Sequence, residues 1–116
     1  FEDEDVRVIL DLGPATKGHA LVIPKQHYEN LFELPEENAM NVMKIAKQQA
    51  AKMKAALQAD GFNLVQNNGE TAGQTVMHFH MHLIPRYADD GQNIWWKPQE
   101  VTQDELEDIK NTIVNG

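Results

Sequence analysis

The sequence predicts an α+β fold: an antiparallel sheet covered by one long helix, with a second, short helix at the C-terminal end. Two patterns carry that reading. Four short runs rich in apolar and β-branched residues are separated by glycine, proline and asparagine, the punctuation of strands joined by turns. Between the second and third runs, apolar residues recur three and four positions apart from Ala39 to Leu57, the period of a helix that buries one face.

The elements follow in order. Val6–Leu12 is a strand run that ends at Gly13-Pro14, and Gly18 introduces a second run, His19–Ile23, closed by Pro24. The two read as antiparallel neighbours joined by a Gly/Pro loop. Leu34-Pro35-Glu36-Glu37 starts a helix, since proline fits the first turn and acids favour the positive end of the helix dipole. Ala39, Met43, Ala46, Ala50, Met53 and Leu57 then form its core stripe, flanked by Lys44, Lys47, Lys52 and Lys54 and ended by Gly61.

Phe62–Gln66 is the third strand, and the polar loop 67–74 leads into the fourth, Met77–Ile84, which Pro85-Arg86 closes. Asp89-Asp90-Gly91 marks a turn, and Trp95-Trp96 sits in an irregular stretch. Thr102 and Glu105 are spaced as a capping box, opening a short helix with Leu106, Ile109 and Ile113 on one face. With no repeat or linker, residues 1–116 read as a single domain. Phe1 stands directly ahead of a strand in place of an initiator methionine, so a natural N-terminal segment is expected to precede it.

Composition excludes several functions. The chain carries 18 acidic and 10 basic residues, a formal net charge of −8, which opposes binding to a nucleic acid polymer. An anionic substrate must therefore be held by local donors against the long-range field. No cysteine is present, so disulfide and thiolate chemistry are excluded for these residues. No apolar run reaches membrane-spanning length and no secretory signal is visible. The expectation is a cytoplasmic protein without a membrane partner.

The chemistry concentrates in Met77-His78-Phe79-His80-Met81-His82-Leu83-Ile84. On a strand, alternation sends the three imidazoles to one face and the apolar residues between them to the other. Metal binding and polar catalysis are both open to such a stripe. One straight strand separates the first and last histidine by roughly 13 Å, at about 3.3 Å per residue, so a single ion does not take all three. The loop ahead of the strand offers backbone amides and the side chains of Gln74 and Thr75, which suit phosphate oxygens. A neutral imidazole beside them is a competent nucleophile.

His78-Phe79-His80-Met81-His82-Leu83-Ile84 resembles, position by position, the His-φ-His-φ-His-φ-φ signature of the histidine-triad (HIT) family. Gly73-Gln74-Thr75-Val76 resembles the family's lead-in, and Gly18-His19-Ala20-Leu21-Val22-Ile23-Pro24-Lys25 its upstream strand pair. The likeness runs over roughly residues 1–87 and is closest to the Hint-related bacterial HIT hydrolases. It implies a HIT-like, dimer-forming fold in which strands pair across a homodimer. It also implies cleavage of purine nucleotide (AMP- or GMP-type) conjugates, such as nucleoside 5′-phosphoramidates, through a nucleotidyl-histidine that water resolves to the nucleoside monophosphate. Hydrolysis of dinucleoside polyphosphates is the nearest alternative. A nucleotide-binding regulatory module with incidental catalysis is another.

Roles follow by position from this resemblance. His80 is the nucleophile, His82 contacts the phosphate or leaving group, His78 organises the site, and His19 lies close to the triad and helps fix it. Asp11 binds the ribose hydroxyls, Leu10 and Leu12 flank the base, Asn67 reaches the phosphate or sugar, and Gln74 and Thr75 complete the phosphate cradle. No cofactor or catalytic metal is required. A structural zinc is implied for related bacterial members, on residues corresponding to His19 and His78 with cysteines of an N-terminal Cys-x-x-Cys. Read without the family, Asp11 is a turn cap, His19 a core histidine and His27 a surface residue at a strand end. Asn67 and Asn68 then simply favour positive φ beside Gly69. Trp95 and Trp96 line the site or a dimer groove, or are packing.

Overall fold

The computed structural model describes all residues, 1–116. Strands β1 (Val6–Leu10), β2 (Ala20–Pro24), β3 (Gly61–Val65) and β4 (Met81–Arg86) form one antiparallel sheet in the order β1-β2-β4-β3. Helix α1 (Glu36–Leu57) joins β2 to β3, and α2 (Gln103–Val114) follows the sheet. β1 and β2 pair from Val6↔Pro24 to Leu10↔Ala20. β4 is central, with Leu83 opposite Ala20 on one side and Leu64 on the other.

Alternation along the strands gives the sheet two unlike faces. Val6, Val8, Ala20, Val22, Met81 and Leu83 turn to α1, which meets them with Val42, Ile45 and Ala46. Arg7, Ile9, Leu21, Ile23 and His82 turn the other way, where no helix covers them. The core therefore holds the sheet from behind and leaves its front open.

The helix is rotated from the expected stripe. Ala46 is fully buried, but Met43 is half exposed while Val42 and Ile45 fill the core. The stiff β-branched side chains take the space above the sheet, and the flexible methionine is half exposed to solvent. Nor does Gly61 end the helix: Gln58 caps it in the left-handed region and Gly61 is already the first residue of β3.

The histidine strand is shorter than the alternation predicts. β4 begins at Met81, so His78 and His80 precede it. The ladder with β2 ends at Val22↔Met81, and the next residue of β2 on that side is Pro24, which has no amide hydrogen to offer. Phe79 N–H instead donates to Tyr28 O at 2.7 Å. The other end is longer than expected, because Pro85 and Arg86 lie inside β4, opposite Phe62 and Gly61. The Pro85 carbonyl accepts from Thr16 Oγ1, beyond the end of β2. Proline is tolerated there because its nitrogen faces no ladder partner.

Arg86 closes this end. Its guanidinium binds both carboxylate oxygens of Asp90 at 2.8 and 3.0 Å, and Asn63 Oδ1 at 2.8 Å. That fork holds the Asp90 carboxyl far below the usual carboxylate range. Gln92 is still tied to the body, its carbonyl accepting from Arg86 and its Nε2 donating to the Ala15 carbonyl at 2.9 Å, and the side chains beyond it are exposed. α2 has the predicted capping box, with Glu105 N–H donating to Thr102 Oγ1, yet buries no residue. The radius of gyration is 16.7 Å, against about 13 Å for a compact domain of this length.

Gly18, at φ +90°, turns the chain into β2, and a Cβ there would collide with Leu57 Cδ1 and press on Pro85 Cγ. Gly18→Ala is expected to destabilise the fold by about 1–3 kcal/mol in urea unfolding. Gly61→Ala, with open space around it, should change stability far less.

Candidate active site

The histidines occupy distinct places, and backbone groups fix their tautomers. His80 Nδ1 lies 2.8 Å from the carbonyl oxygen of His78. A carbonyl only accepts, so the proton is on Nδ1 and Nε2 carries the free lone pair. His19 is buried, and its Nδ1 accepts the Ala15 backbone N–H at 2.9 Å. The His19 proton is therefore on Nε2, which donates to His82 Nδ1 at 2.9 Å. His82 is left with its proton on Nε2, a donor beside His80, the two rings lying edge to face with centroids 5.1 Å apart. Burial, then the neighbouring His80 and His19, push the His82 pKa below 6.5, with Asp11 opposing.

His78 faces elsewhere. Its Nε2–H donates to the Pro24 carbonyl at 2.8 Å, and its Nδ1 lies 2.8 Å from Nδ1 of exposed His27. This contact was missed in the sequence, where His27 reads as a strand-end surface residue. The available signal was register: extending Val22↔Met81 past Pro24 brings the residues after β2 beside His78.

The expected zinc pair, His19 with His78, does not form, because His19 is taken by His82 and His78 by His27. The His78 proton is on Nε2, so Nδ1 offers its lone pair toward His27, and a backbone carbonyl accepting from the far nitrogen is the usual way a metal-binding imidazole is held in place. His27 and His78 thus fit half of a tetrahedral zinc set. A second group, Asp11, His19 and His82, has ligand atoms within 4.8 Å of one another. It does not fit a cation: accepting from Ala15 N–H obliges His19 to keep its proton on Nε2, the atom that would have to ligate.

Asp11 Oδ1 accepts from Gly13 N–H at 2.8 Å, so the turn cap is present, while Oδ2 stands 3.6 Å from His19 Nε2. A cavity of about 580 Å³ opens on the front of the sheet, with His80, His78, Ile9, Leu21 and Ile23 in its walls and Arg7 and Lys25 also lining it. Leu10 shares the parity of Val6 and Val8 and so points to the opposite face, and Leu12 is fully exposed beyond the strand. Neither lines the cavity; Ile9 does.

Gln74 is buried and fully engaged. Its Oε1 accepts from Gly69 N–H, and its Nε2 donates to the Glu29 and Val76 carbonyls. Its side chain is a clamp that shapes the loop and has no donor left for a phosphate. Thr75 is exposed beside it, and half-buried Asn67 keeps its side-chain amide unpaired within the chain, near Gly73.

Residues 1–89 match the HIT domain family. An adenosine 5′-monophosphoramidase of Saccharomyces cerevisiae is 43% identical over 98 residues, covering 84% of this chain and 60% of the yeast protein. A HIT family protein from Bacillus anthracis, solved by crystallography, is 47% identical with a TM-score of 0.91, covering 99% of this chain and 84% of that one. A zinc-bound histidine triad family protein from Mycobacterium smegmatis is 33% identical with a TM-score of 0.77, covering 97% of this chain and 85% of its own. By the match over most of its length, and by the three histidines that the fold places on and before β4, this chain belongs to the HIT family.

Proposed function

We propose that the protein is a hydrolase of purine nucleoside 5′-phosphoramidates, working through a nucleotidyl-histidine on His80. The observation that carries this is the 2.8 Å hydrogen bond from His80 Nδ1–H to the His78 carbonyl, which points a lone pair from Nε2. In the first step His80 Nε2 bonds to the α-phosphorus as the P–N bond breaks, and the amine leaves with that electron pair and a proton from water. The His80 ring becomes cationic, and the His78 carbonyl facing Nδ1–H stabilises it. His82 Nε2–H steadies a phosphoryl oxygen. Water then attacks phosphorus, the N–P bond breaks, and the nucleoside monophosphate departs.

Asp11 Oδ2 is the acceptor for the ribose hydroxyls, Ile9 stands against the nucleoside, and Thr75 and Asn67 donate to phosphate. The named activity of the yeast relative supports this substrate class. Arg7 and Lys25 in the same cavity favour one alternative, a dinucleoside polyphosphate whose extra phosphates would meet them. A zinc ion, where bound, would be held by His27 and His78 with ligands from outside this pair, and would brace the segment whose carbonyl supports His80. The protein acts as a homodimer. β3 is a sheet edge with Leu64 exposed, whereas the outer side of β1 is occupied by the Glu2↔Arg7 bridge.

Adenosine 5′-phosphoramidate turnover tests the reading. Rapid quench of wild type into alkaline denaturant, where the N–P bond survives, should trap labelled nucleotide on His80, and His80→Ala should lower kcat/KM by about 10³-fold or more. Full activity in the variant, or no cleavage by wild type, would sink the mechanism. His19→Ala should reduce kcat by roughly ten- to a hundredfold with little change in KM. Because His19 helps lower the His82 pKa, the same change should move the acid limb of the pH profile upward.

Stability should follow His82 as well. Above about pH 6.5 the ring is neutral in folded and unfolded chains alike, so it contributes no slope. Below that, the unfolded chain takes up the proton first, and stability falls until the folded ring also titrates. The Tm difference between wild type and His82→Gln should therefore shift against wild type as the pH is lowered through about 6.5. A difference independent of pH would contradict the assignment.

A further inference from the structure

The loop between β1 and β2 carries the group on which the imidazole chain depends. Ala15 N–H fixes the proton of His19, and His19 in turn fixes that of His82. Gly13, Pro14 and Gly18 stand around Ala15, and the pairing of the two strands stops at Leu10↔Ala20. Two local bonds close the loop, Asp11 N–H to the His19 carbonyl at 2.9 Å and His19 N–H to the Thr16 carbonyl at 3.2 Å. Neither touches Ala15, so the amide that enters the site has to be held from outside its own loop.

The hold comes from the chain as it leaves β4. Gln92 Nε2 donates to the Ala15 carbonyl at 2.9 Å, Thr16 Oγ1 donates to the Pro85 carbonyl, and Tyr87 Oη donates to the Lys17 carbonyl at 2.7 Å. Three consecutive loop residues are thereby tied to one segment, and His82 stands on the same strand just ahead of it. Gln92 is itself set on both sides of its backbone. Its N–H donates to Asp90 Oδ1 at 3.0 Å, and its carbonyl accepts from Arg86 Nη2 at 2.7 Å. The forked Arg86–Asp90 pair closes this turn, with Asp89 and Gly91 in the left-handed region. The Gln92 side chain therefore reaches Ala15 from a rigid base.

We propose that Gln92, set by the Arg86–Asp90 pair, is a positioning residue: it holds Ala15 so that its amide keeps His19 protonated on Nε2 and His82 a donor toward the phosphoryl oxygen. The inference rests on the reading of His82 as that donor. Gln92 lies beyond the residues 1–89 that match the HIT domain family, and it lines no part of the cavity. With the Ala15 amide displaced, His19 gains its other tautomer, with the proton on Nδ1. His19 Nε2 then accepts from His82 Nδ1, which leaves a lone pair on His82 Nε2 to repel the phosphoryl oxygen. Losing such a donor outright costs about 10²–10³-fold in kcat, and loosening its support costs a part of that.

Gln92→Met, at an exposed position, is of similar length and lacks the donor. Its kcat for adenosine 5′-phosphoramidate should fall about three- to tenfold, with KM unchanged within about twofold. In a His19→Ala background the same substitution should alter kcat by less than about twofold, because the link it acts through is already cut. Nitrogen-15 spectra of the imidazoles, recorded above the histidine titration range, give a measurement that needs no turnover. Wild type should show His19 unprotonated on Nδ1 and protonated on Nε2, and in Gln92→Met the two shifts should draw together. An unchanged kcat, a loss confined to KM, losses that multiply in the double variant, or a His19 spectrum identical in both proteins overturns the proposal. If wild type cleaves no phosphoramidate, the functional reading fails, and the spectra still decide the role of Gln92.

Discussion

The missing amide hydrogen of Pro24 shapes this molecule more than any single contact made. Because β2 has nothing to donate at that position, the chain before Met81 leaves the ladder. Its departure lets the Pro24 carbonyl take the His78 ring, Tyr28 take the Phe79 amide, and the His78 carbonyl reach back to His80. Had the ladder continued, the His78 carbonyl would be bound within the sheet or point along it. The candidate nucleophile exists as such because a strand stops two residues early.

A second regularity is that ambivalent rings are oriented by unambiguous groups. An imidazole nitrogen donates or accepts according to its proton, but an amide N–H only donates and a carbonyl only accepts. Ala15 N–H sets His19, which sets His82, while two carbonyls set His78 and His80. The site needs no nearby fixed charge to choose among tautomers, which suits a chain of net charge −8 and the anionic substrate proposed for it. The same logic separates the two imidazole pairs: His19 and His82 are a hydrogen-bonded chain, whereas His27 and His78 suit a metal.

Much of this was legible in order along the chain. Strand alternation, the helical period and the capping box are local patterns, and β1, β2, β3, α1 and α2 lie close to where they place them. What went astray was the choice among similar apolar residues. Met43 and Val42 are neighbours, and only the shape of the sheet beneath decides that the branched side chain goes inward. Leu10 and Ile9 pose the same problem on β1, where one residue of parity separates the core from the cavity. Gln74 reads as a phosphate donor from its loop, but its amide is spent on Gly69, Glu29 and Val76, two of which lie within a few residues and one far upstream.

By itself the sequence determined the fold class, the three histidines and their apolar alternation, because these depend on periods of two and of three to four residues along one chain. The tertiary structure decided which ring meets which. His19 and His82 are 63 residues apart, and His27 and His78 are 51 apart. A hydrogen bond over such a separation depends on register, on where a proline ends a ladder, and on which backbone group is left free, none of which is periodic. For that reason the triad was visible in the letters, and the partners that orient each ring were not.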